Sequence, residues 1–305
     1  TEFIFDKYYT PNDIFLYIFP KLNFEEFEYC KASYCGGITR FSNKDTVGKW
    51  INKKGMGIDI NSSFPYSYTH FKLPYDVGKK VNFDKYKIKQ SKLYILRFKV
   101  NSFQVKNNRE PNISKVMIDL KKGSKKELDT WISKLNMSCV VTCTSSDYDY
   151  FIENYNFTGL ELIDGIEFNC LNGFFDRFTN KFYPMKSAKG VSKGIRSWVK
   201  LILNGVYGKF GQNKSAELRK DIYNSDSNSI DDIIVRKDDE IVNLLSDGVY
   251  LPLASFVTSY SRLHLLQVLN KINDAKGINW EYCDTDISYV TGDVNILKDT
   301  LKDYI

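Results

Sequence analysis

Three aspartates stand where carboxylates are placed by strand ends. Asp59 follows the short apolar run that begins at Met56, just ahead of a helix start, and Asp284 and Asp286 flank Thr285 at the tip of a β-prone hairpin late in the chain. Brought together, such groups form a cluster of like charge that is costly unless a cation neutralises it. Their hard oxygens suit Mg²⁺. A solvated turn and an unrelated strand-end aspartate would carry the same residues, so the acidic spots alone leave both readings open.

A second feature is cationic. From Lys181 to Lys209 there are seven cations, Lys181, Lys186, Lys189, Lys193, Arg196, Lys200 and Lys209, and no Asp or Glu. Lys189, Lys193, Arg196 and Lys200 follow at steps of 4, 3 and 4, so a helix would line them on one face, with Asn204 and Tyr207 continuing it. Cations in a row repel one another without an anionic partner. A triphosphate gripped by Lys and Arg, with Tyr207 as a platform for base or sugar, is the functional reading; a solvated basic face is the alternative. Carboxylates for Mg²⁺ and a helix for phosphates together are the equipment of two-metal phosphoryl or nucleotidyl transfer.

The elements that must position these groups are readable from pattern. Met56 to Ile60 predicts a short strand, and Ser62 onward a helix with Pro65 in its first turn. Helices are expected from about 192 to 207 and 252 to 275, ending near Gly208 and Gly277, followed by a hairpin over 278–291. Leu93–Val100 and Leu160–Phe168 read as strands of a mixed sheet, and the polar stretches 87–92 and 224–229 as connections.

Composition bounds the function. With 305 residues, 43% hydrophobic and 26% charged, the chain can bury a core and is not a disordered one. Its net charge of +6 fits a polyanionic partner. No apolar run approaches the roughly 20 residues that span a bilayer, and the first residues lack a signal-sequence pattern, so no membrane partner is expected. Six cysteines are too sparse for a disulfide scaffold, and the spacing of Cys30, Cys35, Cys139 and Cys143 is not of the zinc-ribbon kind. His70 and His264 are the only histidines, which argues against Ser-His-Asp or Cys-His machinery.

Five motifs then fall in order. Tyr34-Cys-Gly-Gly37 resembles a YxGG motif, Asp59-Ile-Asn-Ser-Ser-Phe-Pro65 a motif A of the DxNSLYP type, and Lys200-Leu-Ile-Leu-Asn-Gly-Val-Tyr-Gly208 a motif B of the KxxxNSxYG type. Thr258-Ser-Tyr-Ser-Arg262 is similar to TxxAR, and Tyr282-Cys-Asp-Thr-Asp286 to the YCDTD of motif C. The chain thereby resembles the protein-primed branch of family B DNA polymerases, found in phages and linear plasmids.

The resemblance implies an α+β fold: a palm with an antiparallel sheet and helices, helical fingers and two insertions. It divides the chain into palm over 1–71 and 251–305, a first terminal-protein-region insertion over 72–173, fingers over 174–212 and a second insertion over 213–250. The implied activity is template-directed nucleotidyl transfer from dNTP to a primer 3′-hydroxyl, or to a terminal-protein hydroxyl at initiation, with two Mg²⁺ ions; the rival is a non-catalytic remnant that binds nucleic acid and nucleotide. Implied partners are primer-template DNA, dNTPs and a terminal protein, in the host cytoplasm.

By the same resemblance, Asp59 and Asp286 would ligate the metals with the Ile60 carbonyl, and Asp284 would be a supporting carboxylate. Lys186, Lys189, Arg196, Lys200 and the amides of Ser63 and Phe64 would hold the triphosphate, while Asn204 and Tyr207 line the nascent base pair. Tyr34, Gly36, Gly37, Ser62, Gly208, Thr258 and Arg262 would contact template or primer. Four positions depart from the family pattern: Phe64 replaces a tyrosine that stacks on the incoming sugar, Ser63 replaces Leu, Gly205 follows the motif B Asn, and Ile287 follows the last Asp. None of these removes a metal ligand. The family's exonuclease region before YxGG and its KxY motif and thumb after motif C have no counterpart here, so the chain is expected to be a palm-and-fingers fragment.

Overall fold

The structure, a computed structural model, describes residues 19–20, 22–50, 52–120, 125, 127–211, 218–224, 229–235, 250–302 and 304. Asn23 opens helix α1 (Phe24–Ser33) with a capping box, its side chain accepting from the Glu26 N–H while the Glu26 carboxylate accepts from the Asn23 N–H. Strands β1 (Thr39–Phe41) and β2 (Gly55–Asp59) and helix α2 (Ser63–His70) follow. The middle of the chain supplies β3 (Leu73–Pro74), β4 (Lys79–Asn82), β5 (Leu93–Val100), β6 (Ser102–Val105), β7 (Ile118–Asp119), β8 (Lys134–Leu135), β9 (Cys139–Thr144), α3 (Ser145–Asn154), β10 (Tyr155–Thr158), β11 (Glu161–Phe168) and β12 (Cys170–Leu171). Then come α4 (Asp176–Ser187), α5 (Lys193–Phe210), β13 (Leu218–Asn224), β14 (Ser229–Val235), α6 (Leu251–Asp274), β15 (Ile278–Asp284), β16 (Ile287–Gly292) and α7 (Val294–Thr300).

The fold is α+β, and its strand pairs are antiparallel, so the mixed sheet expected in the middle is corrected. Segments there are joined by turns and short loops that return the chain beside itself, which favours antiparallel pairing. A four-stranded sheet runs β1-β15-β16-β2, and a five-stranded sheet runs β4-β11-β5-β9-β7. Of the second insertion expected over 213–250, the backbone of the β13-β14 hairpin and Tyr250 are described; the remainder lies outside the described residues. Among the described residues no helix is long and apolar enough to cross a membrane.

Helix α6 is the spine. Its first half places Leu251, Leu253, Phe256 and Val257 in a core shared with Val199, Leu203, Val206 and Phe210 of α5, which recur at helical steps on that helix's inner face. Its second half places Leu265, Leu266, Leu269 and Ile272 in a core shared with Tyr94, Leu96, Phe98 and Val141 of the five-stranded sheet and Trp280 and Val290 of the four-stranded one. The described residues of 72–173 therefore contribute to both cores, Tyr94, Leu96 and Phe98 to one and Leu93, Ile95 and Ile166 to the other.

Between the two halves sits a charge. Arg262, 1% exposed, pairs at 2.9 Å with the fully buried Asp147 of α3 and donates to the carbonyls of Cys35 and Gly36. Asp147 also accepts from Thr144 Oγ1 and Asn112 Nδ2. Removing one partner leaves the other as an unpaired charge in a dry core. Asp147→Ala is thus expected to lower unfolding stability by about 3–5 kcal/mol, measured by urea denaturation at neutral pH; a loss below about 1 kcal/mol would mean that water reaches Arg262.

Candidate active site

The three aspartates meet at one end of the four-stranded sheet. Asp59 ends β2 opposite Ile287, and Ile287 lies opposite Asp284. The connection is tight: the Asp286 N–H donates to the Asp284 carbonyl at 2.7 Å, with Thr285 between them at φ 61°. A β-branched residue at positive φ is held there by its surroundings. Those surroundings are the YCGG loop, since the Thr285 N–H donates to the Ile38 carbonyl at 2.8 Å and Thr39 Oγ1 donates to Asp284 Oδ1 at 2.8 Å. A Cβ on Gly37 would lie 2.5 Å from Thr285 Oγ1, so the acidic turn fills the space a side chain would need.

The turn engages Asp284 with the hydroxyls of Thr39 and Thr285. Asp286 shares its field with Asp59, Lys200 and, more weakly, Asp284. Burial first, then the Asp59 carboxylate, holds Asp286 above the ordinary carboxylate range, while its own backbone N–H and Lys200 pull it down. The Ile60 N–H donates to the Asp286 carbonyl at 2.8 Å, which fixes the two acidic segments side by side. Among the described residues no group of three or more His, Cys, Asp or Glu side chains is placed to hold a metal ion. Two carboxylates beside the Ile60 backbone form an open, oxygen-only donor set, which fits a divalent ion that keeps waters and takes further oxygens from a phosphate.

The phosphate side is built from α2, α4 and α5. Ser62 enters α2 at φ 55° with no side-chain cap, and the first helical bond runs from the Tyr66 N–H to the Ser62 carbonyl, so the amides of Ser63 and Phe64 are left at the helix mouth. The Ser63 side chain is buried, its Oγ 2.7 Å from Ser261 Oγ, so only its backbone faces a ligand. Lys186 reaches across from α4, donating to Asn61 Oδ1 at 3.0 Å and Ser62 Oγ at 2.6 Å. A cleft of about 60 Å³ gathers Asp59, Ser62, Ser63, Phe64, Lys186, Lys200, Asn204 and Asp286. At the site Phe64 and Tyr207 stack with ring centroids 4.1 Å apart. Burial, with Tyr34 and Asp286 nearby, pushes the Tyr207 hydroxyl up to about 12.

Not every expected residue arrives. Lys189 lies in the turn before α5, where Gly190 at φ 83° breaks the helix and Ser192 caps the next one, so the cationic stripe begins at Lys193. Arg196 is exposed and donates back to the Ala188 carbonyl, outside the cleft. Thr258 and Arg262, expected to touch template or primer, are buried. Thr258 bonds within its own helix, and Arg262 holds the YCGG loop from behind. Tyr34 packs beneath Gly211 at the end of α5, whereas Gly36 and Gly208 have open space where a Cβ would stand. Asn61, Thr39 and Asp147, which tie these parts together, escaped sequence reading because hydrogen-bonding roles between distant segments leave no spacing signal.

This whole arrangement lies within residues 2–293, which match the family described as DNA polymerase type B, organellar and viral. The chain belongs to that family. Similar proteins include the DNA polymerase of Bacillus phage Nf, 29% identical over 285 residues, covering 90% of this chain and 45% of the relative. The DNA polymerase of Streptococcus phage Cp-1 is 27% identical over 269 residues, covering 88% and 45%, and a probable DNA polymerase of Neurospora intermedia is 24% identical over 320 residues, covering 97% and 30%. Phi29 DNA polymerase in an orthorhombic crystal form shares the fold with a TM-score of 0.74 at 24% identity, over 92% of this chain and 45% of that one. Its complex with primer-template DNA and incoming nucleotide gives 0.73 at 24% identity, over 91% and 45%. The chain spans less than half the length of these type B polymerases.

The raised Asp286 has a signed consequence for this type B polymerase chain. A carboxyl favoured as the acid in the fold contributes stability that is full below its unfolded pKa and lost as pH rises through its folded one. At neutral pH without divalent cation, Asp286→Asn should therefore raise the melting temperature. A lower melting temperature than the parent would show that Asp286 is stabilised by partners other than a cation.

Proposed function

We propose that this chain carries out template-directed DNA synthesis, joining the α-phosphate of a dNTP to a primer 3′-hydroxyl, or to a terminal-protein hydroxyl at initiation. The observation that carries it is the single cleft in which Asp59 and Asp286 face Lys200 and Lys186. Like charges on one side and cations on the other match a bound metal–triphosphate. The presence of both metal-binding carboxylates favours a catalyst over a non-catalytic remnant.

Bound at Asp59, Asp286 and the Ile60 carbonyl, two Mg²⁺ ions would supply Lewis acidity to the attacking hydroxyl and to the pyrophosphate leaving group. The protein's own groups do the rest. Lys200, Lys186 and the amides at the mouth of α2 orient the triphosphate. Phe64 and Tyr207 offer adjacent ring faces for sugar and base, and Asn204 lines the same cleft. Asp284 braces the turn through Thr39. In this reading 1–71 and 251–305 are palm, 174–212 fingers, 72–173 the region that meets a terminal protein and 213–250 a second insertion, acting in the host cytoplasm.

Magnesium-dependent incorporation on a primed template tests the reading. Asp59→Ala and Asp286→Ala should abolish single-turnover incorporation, and Asp284→Ala should do less damage; retained activity in Asp286→Ala would sink the two-metal assignment. Lys200→Ala should weaken dNTP use about ten- to a hundred-fold, since a charge-assisted phosphate contact contributes about 1.5–3 kcal/mol. Unchanged KM and kcat would return the cationic helix to a solvated face.

A further inference from the structure

The helix that carries Lys186 is tied at two points to the helix that follows Asp59. Thr69 Oγ1 of α2 and Thr179 Oγ1 of α4 lie 3.1 Å apart, and Lys186 Nζ donates to Ser62 Oγ at 2.6 Å and to Asn61 Oδ1 at 3.0 Å. Thr179 to Lys186 and Thr69 back to Ser62 are both about two helical turns, so α2 and α4 run antiparallel and Lys186 arrives at the mouth of α2. Other contacts favour the ammonium there. Lys186 lies in the last turn of α4, where the helix end attracts a cation, and its Nζ is 5.8 Å from the Tyr183 ring centroid. Ser62 enters α2 at φ 55° without capping it, and its hydroxyl serves Lys186 instead. Against these stands Lys200, a second cation on the wall of the same cleft.

We propose that Asn61 is a positioning residue for the triphosphate: with Ser62 it holds the Lys186 ammonium at the cleft before a nucleotide arrives. The inference rests on the reading of the cleft as a nucleotide site and gives a task to a side chain outside it. Asn61 lines a neighbouring cavity of about 930 Å³ and not the cleft of about 60 Å³, so it acts on phosphate through Lys186. An ammonium has three donors and no acceptor. Asn61 and Ser62 take two of them, which leaves the third for a phosphate oxygen. Both acceptors are neutral, so they orient the lysine without cancelling its charge, whereas a carboxylate at 61 would pair with it and add to the repulsion of Asp59 and Asp286. A lysine side chain is flexible, and ordering it costs entropy. Without Asn61 the ammonium, repelled by Lys200, turns to solvent, and each binding event has to bring it back.

The test uses the full chain and two probes. Calorimetry with inorganic tripolyphosphate and Mg²⁺ reads the polyphosphate contact with no base, sugar or DNA present, and single-nucleotide incorporation reads turnover. Asn61→Ala should weaken tripolyphosphate binding about 3- to 10-fold, the effect of one hydrogen bond. The dNTP KM should rise by the same factor with kcat held within about twofold. In a Lys186→Ala background the same substitution should change binding by less than about twofold, because its effect passes through the ammonium. Asn61→Ser, polar but too short to reach Lys186, should behave as Asn61→Ala does. Asn61 is exposed, and unchanged thermal midpoints verify that the variants fold. Tripolyphosphate binding by the parent without incorporation would strike the proposed DNA synthesis and leave the positioning result standing. Equal or tighter binding by Asn61→Ala, an equal loss in both backgrounds, a fall in kcat at unchanged KM, or no tripolyphosphate binding by the parent would overturn the proposal.

Discussion

The buried pair of Arg262 and Asp147 is the constraint on which the acidic turn depends. Two apolar residues of similar volume could fill the same space, and by energy alone could do so as well. They could not donate to the Cys35 and Gly36 carbonyls, which Arg262 does while its other arm holds Asp147. From those carbonyls the loop runs directly to Gly37, Ile38 and Thr39, the residues that seat Thr285 and Asp284. A charge fixed between α3 and α6 thus determines where a turn on the far side of the loop places Asp286.

What that chain of contacts holds is unfavourable on its own. Thr285 and Ser62 both sit at positive φ, each a conformation costing on the order of 1–3 kcal/mol for a residue with a side chain. Each flanks a ligand segment, Thr285 preceding Asp286 and Ser62 following the Asp59–Asn61 stretch. Asp59 and Asp286 add mutual repulsion. The offset comes from elsewhere: the apolar length of α6, buried at both ends in separate cores, and the continuous pairing of β2 with β16. Such a site is held under strain by a fold that over-determines it, and a bound cation would relieve the repulsion.

Elements whose signal is local were legible. The strand at β2, the helix opened by Ser62 and Pro65, the long α6 and the closing hairpin were all expected close to where they lie, because periodicity and turn residues lie in one stretch of chain. Asp59, Asp286, Lys200 and Asn204 were placed together through ordered motifs. Other features depend on distant segments and were not legible. Arg262 was expected at template or primer through the resemblance of its segment to TxxAR, and the position of Asp147 in α3 draws it inward. The register shift between Trp280 and Tyr282 is invisible to a period-two count. Lys189 fell on the helical stripe by spacing, yet Gly190 at positive φ ends that helix before it begins.

The position of Asp59 shows how local and distant constraints meet. In Gly55-Met-Gly-Ile-Asp59 the alternation sends Met56 and Ile58 against the core and leaves Gly55, Gly57 and Asp59 outside. A slip of one residue would bury the carboxylate and expose both apolar side chains, so the core itself selects the register. The pairing of Ile287 with Asp59 and the bond from the Ile60 N–H to the Asp286 carbonyl then pin the strand end to the acidic turn. Asp59 ends a strand whose outer lane is glycine, and the cleft of α2 and α5 adjoins that strand end. The carboxylate is therefore placed by hydrophobic packing on the opposite face of its own strand.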